Sequence, residues 1–245
     1  MSSETDAPEM IEQNGQKLAL VSTIKTVEAN REFQNNVNVV QNQRNIAVDL
    51  KKRIDQAMTP AERQALQQKL DETLKSLDSN NALMAKTYGF SLLRNYVISF
   101  IKTRLYTPLS DEEFAKMSPE DKIKPDAIKT IDGKVYAYIA TITTAAENDI
   151  FRQNVQLVQT QRQRLVQLKQ ALDKATGDED KKKLDEEFKK SEEVLVNNNN
   201  EMVKRYGFSL MRNYLMEVEE AKLYTALTEE EIKKTSGETE AKPKE

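Results

Sequence analysis

The chain of 245 residues has no cysteine and no histidine. Without cysteine there is no disulfide, no thiolate nucleophile and no cysteine metal site, and either redox compartment suits it. Without histidine, acid–base work near neutral pH falls to a perturbed carboxylate, lysine or tyrosine. Zinc and haem lose their commonest ligands. No GxGxxG, Gly-rich phosphate loop, GxSxG or EF-hand spacing occurs either. No catalytic, cofactor-binding or metal-binding residue is therefore expected, and the chain reads as not an enzyme. No basic run is flanked by stacking aromatics, and the net charge is −3 with interspersed signs, so nucleic acid is not an expected partner. Apolar runs fall short of the ~18 residues that would suggest membrane insertion. The opening MSSETDAPEM is polar and acidic, without an apolar h-region. As written the chain reads as cytoplasmic, or as periplasmic or secreted if a signal peptide has been removed.

Glycine and proline are scarce too, with 6 of each. Sparse punctuation means long segments. Hydrophobic residues make up 38% of the chain and charged residues 31%, a balance that suits long, thin elements better than a compact globule.

What is present is repetition. Residues 8–125 align with residues 126–243 at a constant offset of 118, without a gap. Tyr88-Gly89-Phe90-Ser91-Leu92-Leu93-Arg94-Asn95-Tyr96 returns as Tyr206-Gly207-Phe208-Ser209-Leu210-Met211-Arg212-Asn213-Tyr214. Two copies are too few for a solenoid. They suit a tandem duplication that forms a pseudo-dimer, one chain supplying both halves of a two-fold contact. The expected divisions are a disordered N-terminus over 1–10, one repeat over 11–125, a second over 126–235, and a disordered C-terminus over 236–245.

Each repeat opens with a turn signal, Asn14-Gly15 or Asp132-Gly133, whose residues accept the positive φ of a type I′ turn. An apolar run follows, 17–24 or 135–142. The second is β-branched and aromatic and reads as a strand; in the first a helix fits nearly as well. A long helix comes next, opened by Thr26 or by the capping box Thr144-Ala145-Ala146-Glu147. Phe33, Val37, Val40, Arg44, Ala47 and Ile54 form one stripe, and Phe151, Val155, Val158, Arg162, Leu165 and Leu172 form its twin. Thr59-Pro60-Ala61-Glu62 ends the first helix and caps a second. Thr176-Gly177-Asp178 is expected to do the same, with Gly177 as the left-handed C′ residue. The second helix runs back on Leu66, Leu70, Leu77, Met84 and Tyr88, or on Leu184, Phe188, Leu195, Met202 and Tyr206. The hairpins span about 27–87 and 145–205, each about 42–45 Å long at 1.5 Å per residue, and resemble antiparallel coiled coils. Gly89 and Gly207 are the expected helix ends, with Phe90 and Phe208 packing back. Segments 96–106 and 214–224 read as strands, and short helices follow Ser110 and Thr228. The fold expected is mainly α of the α+β class, two hairpins on a small β body; an all-α fold is the alternative.

Several residues stand out as candidates for interaction or for setting register. Arg44 and Arg162 lie within the apolar stripe and either contact an anion or lay their stems along the seam. Asn36 is expected opposite Asn81, and Asn154 opposite Asn199 or Asn200, as polar pairs that set register at a cost in stability. Arg94, Asn95 and Tyr96, with Arg212, Asn213 and Tyr214, either hold a helix-to-strand corner or line a pocket. The charge run from 178 to 187 reads as a solvated helix face.

Lys17-Leu18-Ala19-Leu20-Val21 entering the first helix, Tyr88-Gly89-Phe90-Ser91-Leu92 leaving the second, and Leu105-Tyr106-Thr107-Pro108-Leu109-Ser110-Asp111-Glu112-Glu113 beyond them resemble the periplasmic chaperones of the Skp or OmpH family. Prefoldin has a related body-and-tentacle plan. That resemblance implies hairpins on a small β body whose faces cradle unfolded clients. The residues themselves favour a non-enzymatic scaffold whose partner is a protein, itself or another, with a holdase-type chaperone as the alternative.

Overall fold

The structure, a computed structural model, describes residues 9–124, 126–207 and 209–235. The expected packing of Phe208 and the expected disorder over 1–8 and 236–245 lie outside the described residues. Glu9 and Met10 are placed, and Met10 already belongs to a strand.

In chain order the elements are β1 (Met10–Gln13), β2 (Gln16–Ile24), α1 (Val27–Gln56), α2 (Pro60–Tyr88), β3 (Tyr96–Pro108), α3 (Asp111–Lys116), α4 (Pro119–Ile123), β4 (Ile128–Ile131), β5 (Lys134–Ile142), α5 (Ala145–Lys174), α6 (Asp178–Tyr206), β6 (Leu215–Ala226) and α7 (Glu229–Thr235). The fold is α+β. The all-α alternative is overturned: segments 17–24, 96–106 and 135–142 lie in strands, and 214–224 does so from Leu215 on. Ladder partners decide this, because β2 and β5 each sit between two neighbours that satisfy their backbone groups. The strands β1 and β4 escaped the sequence reading. Each has only four residues, too short for a periodic signal, and is recruited by its turn.

The chain divides into two compact units, one of residues 1–99 with 219–245, the other of 100–218. These boundaries differ from those of the sequence repeats.

In the first unit, β1 and β2 form an antiparallel hairpin closed by Asn14 (φ 52°) and Gly15 (φ 75°), the positive pair that a type I′ turn needs. Residues 221–226 of β6 pair antiparallel with β2, placing Tyr224 beside Leu20 and Ala221 beside Ile24. The start of β3 lies on the other side of β6, where Ala226 N–H donates to Asn95 O at 3.2 Å. Thr26 caps α1 and Thr59 caps α2 through their hydroxyls, with Pro60 in the first turn of α2. The helices pack antiparallel along a seam. At its base Ile24, Phe33, Val40, Met84, Tyr88, Phe90 and Leu223 form one buried cluster. Nearer the tip, Ala47, Leu50, Ala57, Leu66 and Leu70 form another.

The second unit repeats the plan. Asp132 (φ 49°) and Gly133 (φ 74°) close the β4–β5 hairpin. Residues 103–108 of β3 pair antiparallel with β5, and the start of β6 flanks β3. The core at the base of the α5–α6 hairpin comprises Leu105, Ile142, Phe151, Val158, Leu195, Tyr206 and Leu210. One expectation fails at the tip. Gly177 has φ −85° and is the N-cap of α6, without a side-chain cap, while Ala175 ends α5. With no Cβ and no hydroxyl, Gly177 adopts the extended N-cap geometry and its carbonyl accepts the Lys181 N–H at 3.0 Å, but it offers the first turn no side-chain acceptor.

Candidate interaction surfaces

The corner after each hairpin is a built structure. Gly89 (φ 68°) and Gly207 (φ 78°) end α2 and α6 in the left-handed conformation expected of them. Tyr96 Oη receives the Ser91 N–H at 2.9 Å and donates to Gly89 O at 3.0 Å. Tyr96 stacks at a tilt on Phe90, and Tyr214 meets Phe151 edge-on. Burial raises the pKa of Tyr214. Arg94 donates to Ala226 O at 3.2 Å and grips Glu231, 2.9 Å away. Arg212 grips Glu113 at 2.9 Å. Those carboxylates already belong to the N-terminal caps of α7 and α3. The Ser110 backbone N–H, then Arg212, hold Glu113 below the ordinary carboxylate pKa. The Thr228 backbone N–H leads the same effect at Glu231. Asn95 and Asn213 are exposed, and their carbonyls accept hydroxyls from Thr225 (3.2 Å) and Thr107 (3.5 Å).

Two buried asparagines that the sequence reading passed over stand where helix meets sheet. Asn30 Nδ2 donates to the carbonyls of Thr26 (2.9 Å), Ile24 (3.3 Å) and Glu219 (3.3 Å). Asn148 Nδ2 donates to Thr144 O (3.0 Å) and Ile101 O (3.4 Å), while Thr103 Oγ1 donates to Asn148 Oδ1 at 2.6 Å. Their signal was available. They recur at the offset of 118 and sit three residues before Phe33 and Phe151, in phase with the apolar stripe.

These contacts follow one rule. Within the first unit, the hairpin and corner of the first repeat hold Leu223, the Glu219 carbonyl, Thr225 and Glu231, all from the second repeat. Within the second unit, the hairpin and corner of the second repeat hold Leu105, the Ile101 carbonyl, Thr107 and Glu113 from the first. Each unit is completed by the last strand and short helix of the other repeat.

Along the seams, the anticipated asparagine pairs give way to other partners. Asn81 Oδ1 accepts the Leu92 N–H at 2.9 Å, and Asn199 Oδ1 accepts the Ser209 hydroxyl at 2.9 Å, so both turn toward the corner. Asn154 Nδ2 donates to Tyr206 Oη at 3.3 Å. Register across α1 and α2 comes from Gln43, bonded to Ser76 (2.8 Å) and Asn80 (3.0 Å). That places half-buried Asn36 level with Ala85, one turn beyond Asn81. Arg44 and Arg162 are exposed beside the seam rather than within it.

Gln161 and Val194, the counterparts of Gln43 and Ser76, line the same groove. Gln161 Oε1 is buried without a hydrogen-bond partner. The groove, of about 360 Å³ on the α5–α6 hairpin, is lined also by Arg164, Glu187, Lys190 and Ser191 and bridged by the Arg164–Glu187 ion pair. A shallower groove of about 500 Å³ runs along α5 past Arg162 and Val166. Half-exposed aliphatic side chains flank both seams: Val39, Ile46, Val48 and Leu83 in one hairpin, Leu157, Val166, Val194, Val196 and Val203 in the other. Among the described residues no group of three or more Asp, Glu, His or Cys side chains is placed to hold a metal ion, and no helix is long and apolar enough to cross a membrane. No protein-family model, curated protein or solved structure matches the chain.

Proposed function

We propose that the chain is a non-enzymatic structural or scaffold protein that acts through protein–protein contacts of its two helical hairpins. The aliphatic rows that flank the hairpin seams carry this reading. A hairpin two helices wide buries one seam and leaves its flanks in water. Aliphatic side chains grouped there mark surface that gains from being covered. Recurrence of the elements at an offset of 118 supports an origin by tandem duplication, with the hairpins as coiled-coil arms on a β body. Light scattering after size exclusion, over a wide concentration range, tests the reading together with capture of partners by the intact chain. Assembly that disappears when residues 40–80 and 158–198 are shortened by matched whole turns supports it. Unchanged assembly in the shortened chain contradicts it.

The grooves on the α5–α6 hairpin favour a second reading, a holdase-type chaperone of the Skp or prefoldin kind. Each groove sets one valine, Val194 or Val166, among the stems of long polar side chains, a surface that suits short stretches of unfolded client. Suppression of aggregation of an unfolded client at molar excess supports that reading, and its absence removes it.

A further inference from the structure

On α1, Glu32, Val39, Ile46 and Arg53 stand one heptad apart and form a single row. Val39 and Ile46 are 44% and 51% exposed. Each directly precedes a buried seam residue, Val40 or Ala47. On α2, Leu83, 57% exposed, directly precedes buried Met84. One residue is a turn of about 100°, and in an antiparallel pair the same step back from the seam leads to the same flank. The Gln43 contacts with Ser76 and Asn80 set Leu83 level with Val39. The flank therefore has an aliphatic centre, with a carboxylate at one end of its row and a guanidinium at the other.

That pattern is complementary to itself. When the row is turned end for end about a two-fold axis, Val39 meets Ile46, Ile46 meets Val39, and Glu32 meets Arg53 at both ends. Within its own helix Arg53 has a loose neighbour, Asp49 at 4.0 Å. The corresponding row on α5 reads Ile150, Leu157, Arg164 and Ala171 and lacks this symmetry. We infer that the α1 flank of the first unit docks antiparallel onto the same flank of a second copy of this chain. The inference rests on the scaffold reading and names its partner.

Charge exchange in the intact protein tests it, with dimerisation followed by sedimentation equilibrium. Glu32→Lys sets an ammonium group against Arg53 of the second molecule, and Arg53→Glu sets two carboxylates together. Each should weaken the dimer by about tenfold or more. The double variant restores opposite charges at both ends and should return to within about threefold of the parent. Ile46→Asp should abolish the dimer, while far-UV circular dichroism and thermal midpoint report that the exposed position leaves the fold intact. Rescue by the double variant establishes the contact. A parent chain that remains monomeric at every concentration overturns it. Self-association that ignores all four variants also overturns it, while leaving the scaffold reading standing on some other surface.

Discussion

In the first unit the buried asparagine under the long helix touches backbone carbonyls alone, whereas in the second Asn148 also receives the Thr103 hydroxyl. The residue corresponding to Thr103 is Ala221, which supplies a methyl group. The second unit also buries Glu217 against Lys129 at 2.6 Å, where the first unit has Ser99 and Ile11. At the tips the contrast reverses. The first hairpin has a Thr59 cap, Pro60 and buried Ala57, and the second has Gly177 without a side-chain cap. One backbone plan thus tolerates two distributions of polarity. The second unit concentrates polar contacts at the base and relaxes its tip. The first sets the Glu9–Lys222 ion pair at partly exposed positions and keeps a firmer tip and the self-complementary flank.

Replacement of the asparagines breaks this comparison most severely. Asn148→Ala strands the Thr103 hydroxyl and takes the side-chain donor from the Ile101 carbonyl, while Thr144 O keeps the backbone N–H of residue 148; it should cost about 3 kcal/mol, against about 2 kcal/mol for Asn30→Ala. Urea denaturation read by circular dichroism checks the order, and equal losses would mean that the Thr103 bond contributes nothing net.

The helix-ending glycines sharpen the contrast. A Cβ at Gly89 would overlap Val21 Cγ1, and nothing lies near one at Gly207. Both have positive φ, so alanine should cost about 1 kcal/mol at Gly207 from backbone strain alone. At Gly89 it should cost about 2–3 kcal/mol, because the overlap adds to the strain. Thermal unfolding of the two variants tells them apart.

At the tips, Thr59→Ala should lose about 1 kcal/mol, and Gly177→Ser should gain only a few tenths. Amide exchange should be faster around residues 170–180 than around 52–62; the opposite order contradicts the account of the caps.

The smallest effect concerns acid. Glu9 is held below the ordinary carboxylate range by hydrogen bonds from Lys222 and Tyr224. A carboxyl whose folded pKa is depressed stabilises the fold above its unfolded pKa, and that contribution fades as pH falls through the folded value. Glu9→Gln should therefore reduce stability at neutral pH by a modest amount and match the parent in strong acid.

Much of this frame was legible from the letters. Long stripes, Thr caps, Asn-Gly and Asp-Gly turns and the helix ends at Gly89 and Gly207 each express a local rule and lie where that rule puts them, whereas Gly177, expected as a third such end, begins α6 instead. Arg94 and Arg212 were legible as corner residues, although their partners were not. Glu231 and Glu113 come from the opposite repeat, and no local pattern reports a strand exchanged over more than a hundred residues. The register asparagines failed for a related reason. Counting back from the tip assumes an even fold-over, but the level is set by Gln43 and by the pull of the corner on Asn81. Asn30 and Asn148 carried a periodic signal, yet a polar residue in an apolar phase discloses its partners only when the strand beneath it is known.

The claim that each unit is finished by the other repeat is tested most directly by separating the repeats. Fragments 1–125 and 126–245, made apart and then mixed, would be followed by circular dichroism and light scattering. Neither should fold as a cooperative monomer alone, and mixing should give a 1:1 complex with a cooperative melt. A single fragment that folds cooperatively as a monomer would contradict the exchange.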